Sequence, residues 1–439
     1  MADKKLIFCG NSPAYLKEEL IKESNESNGA TAFRIPSLVN AGGTLVAVAD
    51  KASSGDDWGF IELAVRTSED GGKTWSDIKT IATPPARETT PGTTSSAFFI
   101  DPCMSVASNG DIVMLVTFFP ECKGIHDKNM LDKKKIAYAS FDGKNRQVIY
   151  DRDGKYYMVL EDGTVIDGAK HKTPYKVTDW KGSLEKDGEY VGNIYLNGEK
   201  GREHSGETTF GAPLKAPKRS YIFALKSTDK GVTWSEPKDI TADLLSPEDG
   251  VFLAVAPGSG LTLKSGRIIM PAYSFKGTAA IYSDDNGETW NRLKQALYTG
   301  NIDEWCAIEG PDKIYSFGRA RKYGKTPVAV SDNGIIWSKA KAEGVKAPKC
   351  QKSALMLGDK ILISHPSGKK REKGVISVGT FVYDKKQNVK GIKWSKEDII
   401  INDGFFAYSC LAPIDSNTVG VLYEDEPSSH IVFETFKIS

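Results

Sequence analysis

Thiols, imidazoles and carboxylates are the side chains most able to attack, to move protons or to hold ions, and their spacing in this chain excludes several chemistries. The six cysteines (Cys9, Cys103, Cys122, Cys306, Cys350 and Cys410) lie far apart, with no Cys-x-x-Cys pair and no paired histidines nearby. They read as small buried apolar residues and not as zinc ligands. The five histidines form no spaced cluster, so no metal site is expected, nor any other cofactor. The aspartates do recur in a pattern. Ser68-Glu69-Asp70-Gly71-Gly72-Lys73-Thr74-Trp75, Ser227 to Trp234 and Ser283 to Trp290 repeat the phrase Ser-x-Asp-x-Gly-x-Thr-Trp, and a degraded fourth copy from Val330 to Trp337 keeps Asp332, Gly334 and Trp337 but not the leading Ser or the Thr. Chance does not place five fixed residues in one eight-residue frame three times, so this is an internal repeat.

These aspartates read as turn formers with no part in catalysis. Ser and Asp side chains bond back onto the amides of their own turn. The glycine supplies a positive φ, and the Trp pins the hairpin to its sheet. Each copy follows an apolar strand such as Ile61–Val65 or Ala279–Tyr282. Strand, tight turn and strand, repeated, predict radially arranged antiparallel sheets, a β-propeller. Segments with the period of a helix are few, and Pro13 to Glu23 is expected to form one. The repeats are unevenly spaced, and the excess lies between Phe119 and Pro217, where short strands such as Gln147–Tyr150, Tyr156–Leu160, Thr164–Ile166 and Tyr190–Leu196 carry no copy of the phrase. That stretch predicts an inserted β-rich subdomain, a small barrel or sheet on the propeller rim, supplying none of the reacting groups.

Composition limits the partners. With 58 basic and 57 acidic residues, the bulk field gives no support to nucleic-acid binding. No apolar run approaches the roughly 18 residues of a membrane span. The start, Met-Ala-Asp-Lys-Lys, is not a secretory signal. The expected location is secreted or cell-surface with the signal removed, with the cytoplasm as the alternative.

A second motif joins the first. Phe33-Arg34-Ile35-Pro36 sits just before the first strand pair. A lone arginine between apolar residues is ordinarily a snorkelling surface cation. Followed by the repeated boxes, it makes the chain resemble the sialidase (neuraminidase) family over nearly its whole length, most of all the large bacterial sialidases with an inserted β domain. The resemblance implies an all-β, six-bladed β-propeller divided as 1–118 (propeller), 119–217 (inserted β-rich subdomain) and 218–439 (remaining propeller). It implies a monomeric exo-α-sialidase that removes terminal sialic acid from glycoproteins, glycolipids and oligosaccharides.

The family's residues carry over one by one. Sialic acid bears a carboxylate on its anomeric carbon, and the planar fork of arginine meets a carboxylate bidentately. The family uses three arginines. Arg34 matches the first, Arg319 in Tyr315-Ser316-Phe317-Gly318-Arg319 the second and Arg371 the third, with Arg321 and Lys370 as rivals. Tyr408, in Phe405-Phe406-Ala407-Tyr408-Ser409-Cys410-Leu411, resembles the nucleophile. A neutral Tyr escapes the repulsion that a carboxylate nucleophile would meet beside the substrate's own carboxylate, but it needs a base. Glu304, fifteen residues before Arg319, matches that base, with Glu309 and Asp303 as rivals. Asp57, in Ser54-Gly55-Asp56-Asp57-Trp58-Gly59, resembles the acid/base residue, with Asp56 as its rival. Asp101 matches an acceptor of sugar hydroxyls and Glu424 the acid that holds the first arginine. One departure is Lys51, where the family often has a further arginine. Lysine cannot copy a bidentate fork.

Two alternatives stand beside hydrolysis. An intramolecular trans-sialidase would release an anhydro-sialic acid, and a sialoglycan-binding propeller would not catalyse at all. The nucleophile, base and acid argue against the last, because a lectin has no need of them.

Overall fold

The computed structural model describes residues 4–10, 30–86, 96–127, 131–196, 212–245, 250–293, 303–319, 321–427 and 430–439. The segment expected to be helical, 13–23, lies outside these. Six sheets of four or five strands, antiparallel apart from one short parallel pair between Gly258–Ser259 and Phe98–Val106, form the blades of a propeller ring. Blade one is Ala32–Ala41, Thr44–Ala52, Ile61–Ser68 and Lys79–Ala82. The inner strands of the next five blades begin at Phe98, Leu253, Trp305, Ser353 and Ala407. Lys5–Cys9 pairs with His430–Lys437 and completes the sixth blade, so the first strand of the chain closes the ring onto the last. Strands such as Thr44–Ala52 and Ile112–Phe119 are buried along their whole length. Neighbouring blades cover both of their faces, so near-continuous apolar sequence replaces the alternation of a half-exposed strand. All six cysteines are buried.

The boxes join the third and fourth strands of blades one to four, and their bonding is local. In the first, Gly72 N–H donates to Ser68 Oγ (2.9 Å), Thr74 N–H to Asp70 Oδ1 (2.9 Å) and the Trp75 indole to Gly72 O (3.0 Å). The glycine does more than adopt its φ of 91°. A Cβ on Gly72 would stand 2.1 Å from the Phe433 ring, on Gly231 2.7 Å from Val46, on Gly287 2.6 Å from Val113 and on Gly334 2.2 Å from Ile269. Each of those partners lies on the preceding blade. The box glycine is therefore the point where one blade presses against the next.

The fourth copy needs a correction. Its leading Ser is present as Ser331, which accepts from Gly334 N–H (2.9 Å), and Asn333 takes the place of the Asp by accepting from the N–H groups of Ile335 and Ile336. Asp332 instead pairs with Lys313. One residue has been deleted between the acceptor and the glycine, which shifts the frame.

Between the second and third strands of blade two stands a seventh sheet, seven strands in sequence order from Tyr138–Phe141 to Glu189–Asn193. It is open, for its two edge strands do not pair with each other. Lys172–Val177 and Ser183–Lys186 are strands that sequence reading missed, being polar and lysine-rich. One face of this sheet joins the core of blade two. Trp180 meets Phe99 at 5.9 Å between ring centroids and Tyr195 meets Phe118 at 5.0 Å.

Candidate active site

Three inner strands break their register at matching places. The strands beginning at Ala32, Phe98 and Ala407 bulge at Arg34/Ser37, Ile100/Cys103 and Ala407/Ser409. Within or beside each bulge a residue other than glycine takes a positive φ: Ile35 (55°), Asp101 (65°) and Tyr408 (33°). Such backbone is costly, above all for a β-branched isoleucine, and persists only where packing holds it. The bulges turn consecutive side chains toward the end of the ring, where a cavity of about 270 Å³ opens.

Arg34, Asp57, Asp101, Glu304, Arg319, Arg371 and Tyr408 all line this cavity. The Tyr408 hydroxyl donates to Glu304 Oε1 at 2.9 Å. Arg319 Nη1 donates to the Tyr408 oxygen at 3.2 Å and forms an ion pair with Glu304 Oε2. The Arg371 guanidinium stands 5.1 Å from the centre of the Tyr408 ring. Burial, and then the Glu304 charge, push the Tyr408 phenol well above its ordinary value, partly against Arg319 and Arg371. The phenol therefore holds its proton, with Glu304 as its acceptor. Burial and the charges of Glu304 and Asp57 push Asp101 well above the carboxylate range, and Tyr273 donates to it at 3.2 Å.

Arg34 forms an ion pair with Asp57, whose other oxygen meets His126 Nε2 at 3.0 Å. Burial pushes the Asp57 carboxyl up, but the Arg34 and His126 charges together hold it below its ordinary value. Glu424 lies behind the site. Its Oε1 accepts from the Ile35 N–H at 2.9 Å, so it fixes the bulge beside Arg34, and its charge favours the guanidinium.

Four of the five rivals fall elsewhere. Asp56, Arg321 and Lys370 are exposed and do not line the cavity, and Glu309 accepts from Lys264 N–H at 2.9 Å. Asp303 does line it, pairing with Arg319 Nε at 3.2 Å. Lys51 does not reach the cavity, for its Nζ is held by Glu62 (3.0 Å) and Thr80 (3.1 Å). Four neighbours escaped sequence reading: Tyr273, Lys349, His126 and Asp50, the last paired across the sheet from Arg34. None belongs to a motif. Only Asp50 had a signal, its place one residue before Lys51. His126 lies in the turn Gly124–Asp127, within the 119–217 stretch expected to keep clear of the reacting groups. The beginning of that stretch thus lines the cavity.

A family model described as a BNR repeat-like domain matches residues 35–304, and a second of the same description matches 208–409. The chain belongs to this family of BNR-repeat propellers. It is 29% identical over 48% of its length to a sialidase of Bacteroides fragilis, covering 41% of that protein. It is 25% identical over 97% of its length to an anhydrosialidase of Macrobdella decora, covering 61% of that protein. The chain thus spans less than two thirds of these relatives. The solved intramolecular trans-sialidase of Ruminococcus gnavus shares the fold with a TM-score of 0.78 at 23% identity, over 93% of this chain and 95% of that one.

Proposed function

We propose that the chain is an exo-α-sialidase that cleaves terminal sialic acid from glycoconjugates with retention, through a tyrosyl-enzyme intermediate. The observation that carries this reading is the 2.9 Å hydrogen bond from Tyr408 to Glu304 in a cavity lined by Arg34, Arg319 and Arg371. The three guanidinium groups bind the substrate carboxylate. Glu304 takes the phenol proton as Tyr408 Oη attacks the anomeric carbon. The bond to the leaving oxygen breaks, and Asp57 gives that oxygen a proton. Asp57 then takes a proton from the second nucleophile, which displaces Tyr408. Asp101 and Tyr273 present polar atoms to the sugar hydroxyls. We also propose that 119–217 is an insertion into a propeller built from 1–118 and 218–439.

The second nucleophile defines a second reading. With water, the product is free sialic acid. With a hydroxyl of the sialyl unit itself, it is an anhydro-sialic acid. The match to the leech anhydrosialidase along 97% of the chain favours this second outcome. Incubation with sialyllactose, followed by proton NMR, tests both. Free sialic acid supports hydrolysis, an anhydro product supports intramolecular transfer, and intact substrate overturns both.

A further inference from the structure

We propose that His126 is the positioning residue for Asp57 and the reservoir of the proton that Asp57 delivers. The proposal rests on the catalytic reading above and adds a group from the inserted segment.

The geometry is a three-membered row. Asp57 lies between Arg34, on its Oδ1, and His126, 3.0 Å from its Oδ2. The imidazole is itself held, with its ring 4.9 Å from that of Trp58, and Lys123 covers the same indole at 5.5 Å. Asp57 takes only Nη1 of Arg34, so a sialoside carboxylate that engages the same guanidinium offsets part of the positive charge at Asp57, and His126 remains the second partner that keeps the carboxyl in place. The other charges acting around Asp57 are those of Asp50, Asp101 and Glu424, all acidic. Once Arg34 is taken up, those charges favour protonation of Asp57.

The proton transfer balances. The Nε2–H bond of His126 breaks as Oδ2–H of Asp57 forms. The Asp57 O–H bond then breaks as the leaving oxygen gains its hydrogen, which leaves a carboxylate and a neutral imidazole. In the second half, the proton lost by water or by the sugar hydroxyl returns to the pair. His126 is exposed, so a proton it gives up is replaced from solvent. Without His126, Asp57 loses this second source of its proton.

The test is the pH profile of kcat/KM on sialyllactose and on an aryl sialoside with a good leaving group, for wild type, His126→Gln, His126→Phe and Asp57→Ala. The expected result is an alkaline limb on sialyllactose moved about one unit toward acid in both His126 variants. Turnover of sialyllactose near pH 7 falls about 10- to 100-fold, while the aryl substrate changes less than about threefold. Gln keeps an N–H donor, so it retains more activity than Phe at acid pH. An unmoved limb in His126→Gln, or equal losses on both substrates, overturns the proposal while Asp57→Ala still discriminates between them. Equal losses in Asp57→Ala remove Asp57 from the acid role, and the proposal falls with it.

Discussion

The rim of the propeller and its central cavity use the same side chain in opposite ways. On the rim, Asp70 stands in water, and its oxygens accept from the Thr74 N–H (2.9 Å) and the Thr74 hydroxyl (2.6 Å). Those bonds pull its carboxyl down to about 2. In the centre, Asp101 and Asp50 are buried, and burial followed by the charges of neighbouring carboxylates pushes both well above the usual range. The aspartates of the three intact boxes bond to the Ser and Thr of their own eight-residue phrase. Central ones lie beside unlike and like charges gathered from several blades, so their protonation answers to what enters the cavity. The identity of the residue says little about its role. The completeness of its local bonding says much more.

Variants break this comparison where it is strongest. Tyr408→Phe should lower turnover by roughly 1,000-fold or more on sialyllactose and on an aryl sialoside alike, because no leaving group replaces a nucleophile. A fluorinated sialyl donor should label wild type on Tyr408, located by peptide mass spectrometry. A label elsewhere, or full activity in the variant, removes Tyr408 from the mechanism. Arg371→Lys should cost about 2–4 kcal/mol of transition-state binding, read as a fall in kcat/KM, since a point charge does not copy the fork. Kinetics equal to wild type would take Arg371 out of the carboxylate site.

Rim variants should leave the chemistry alone. Gly72→Ala drives a Cβ into Phe433 on the neighbouring blade at a φ of 91°. It should destabilise the fold by about 2–3 kcal/mol in denaturant melts, with activity per folded molecule unchanged. The smallest effects form an opposed pair. The folded carboxyl of Asp70 is depressed, so its contribution is present above the unfolded value of about 4 and is lost as the pH falls toward 2. Asp70→Asn should therefore destabilise by about 1 kcal/mol at pH 7 and by almost nothing near pH 2. The folded carboxyl of Asp50 is raised, so it favours the fold below about pH 4 and loses that contribution as the pH rises. Asp50→Asn should stabilise by about 1 kcal/mol at pH 7 and be neutral near pH 3. Urea melts at two pH values decide both, and effects of equal sign would erase the distinction between rim and centre.

Much of this was legible in the chain. The boxes announced the blades because Ser, Asp, Gly, Thr and Trp bond among themselves, whatever surrounds them. Arg34 and Tyr408 could be found because each sits in a short phrase on an inner strand, and Arg319 because it ends the phrase of the second strand of blade four. The degraded fourth box was misread by one position, since a deletion leaves Asp332 in the expected slot while Asn333 makes the bonds. His126 and Tyr273 left no trace. They meet Asp57 and Asp101 across 69 and 172 residues of chain, without a phrase of their own.

The sequence alone determined the turns, the strands and the box glycines, because those depend on contacts a few residues apart and on the intrinsic freedom of each backbone unit. Closure of the ring decided the rest. Glu424 reaches the Ile35 amide across 389 residues, and Tyr408 reaches Glu304 across 104. Protonation and orientation at those contacts follow from burial and from neighbouring charge, and both exist only once blades distant in sequence have been brought edge to edge.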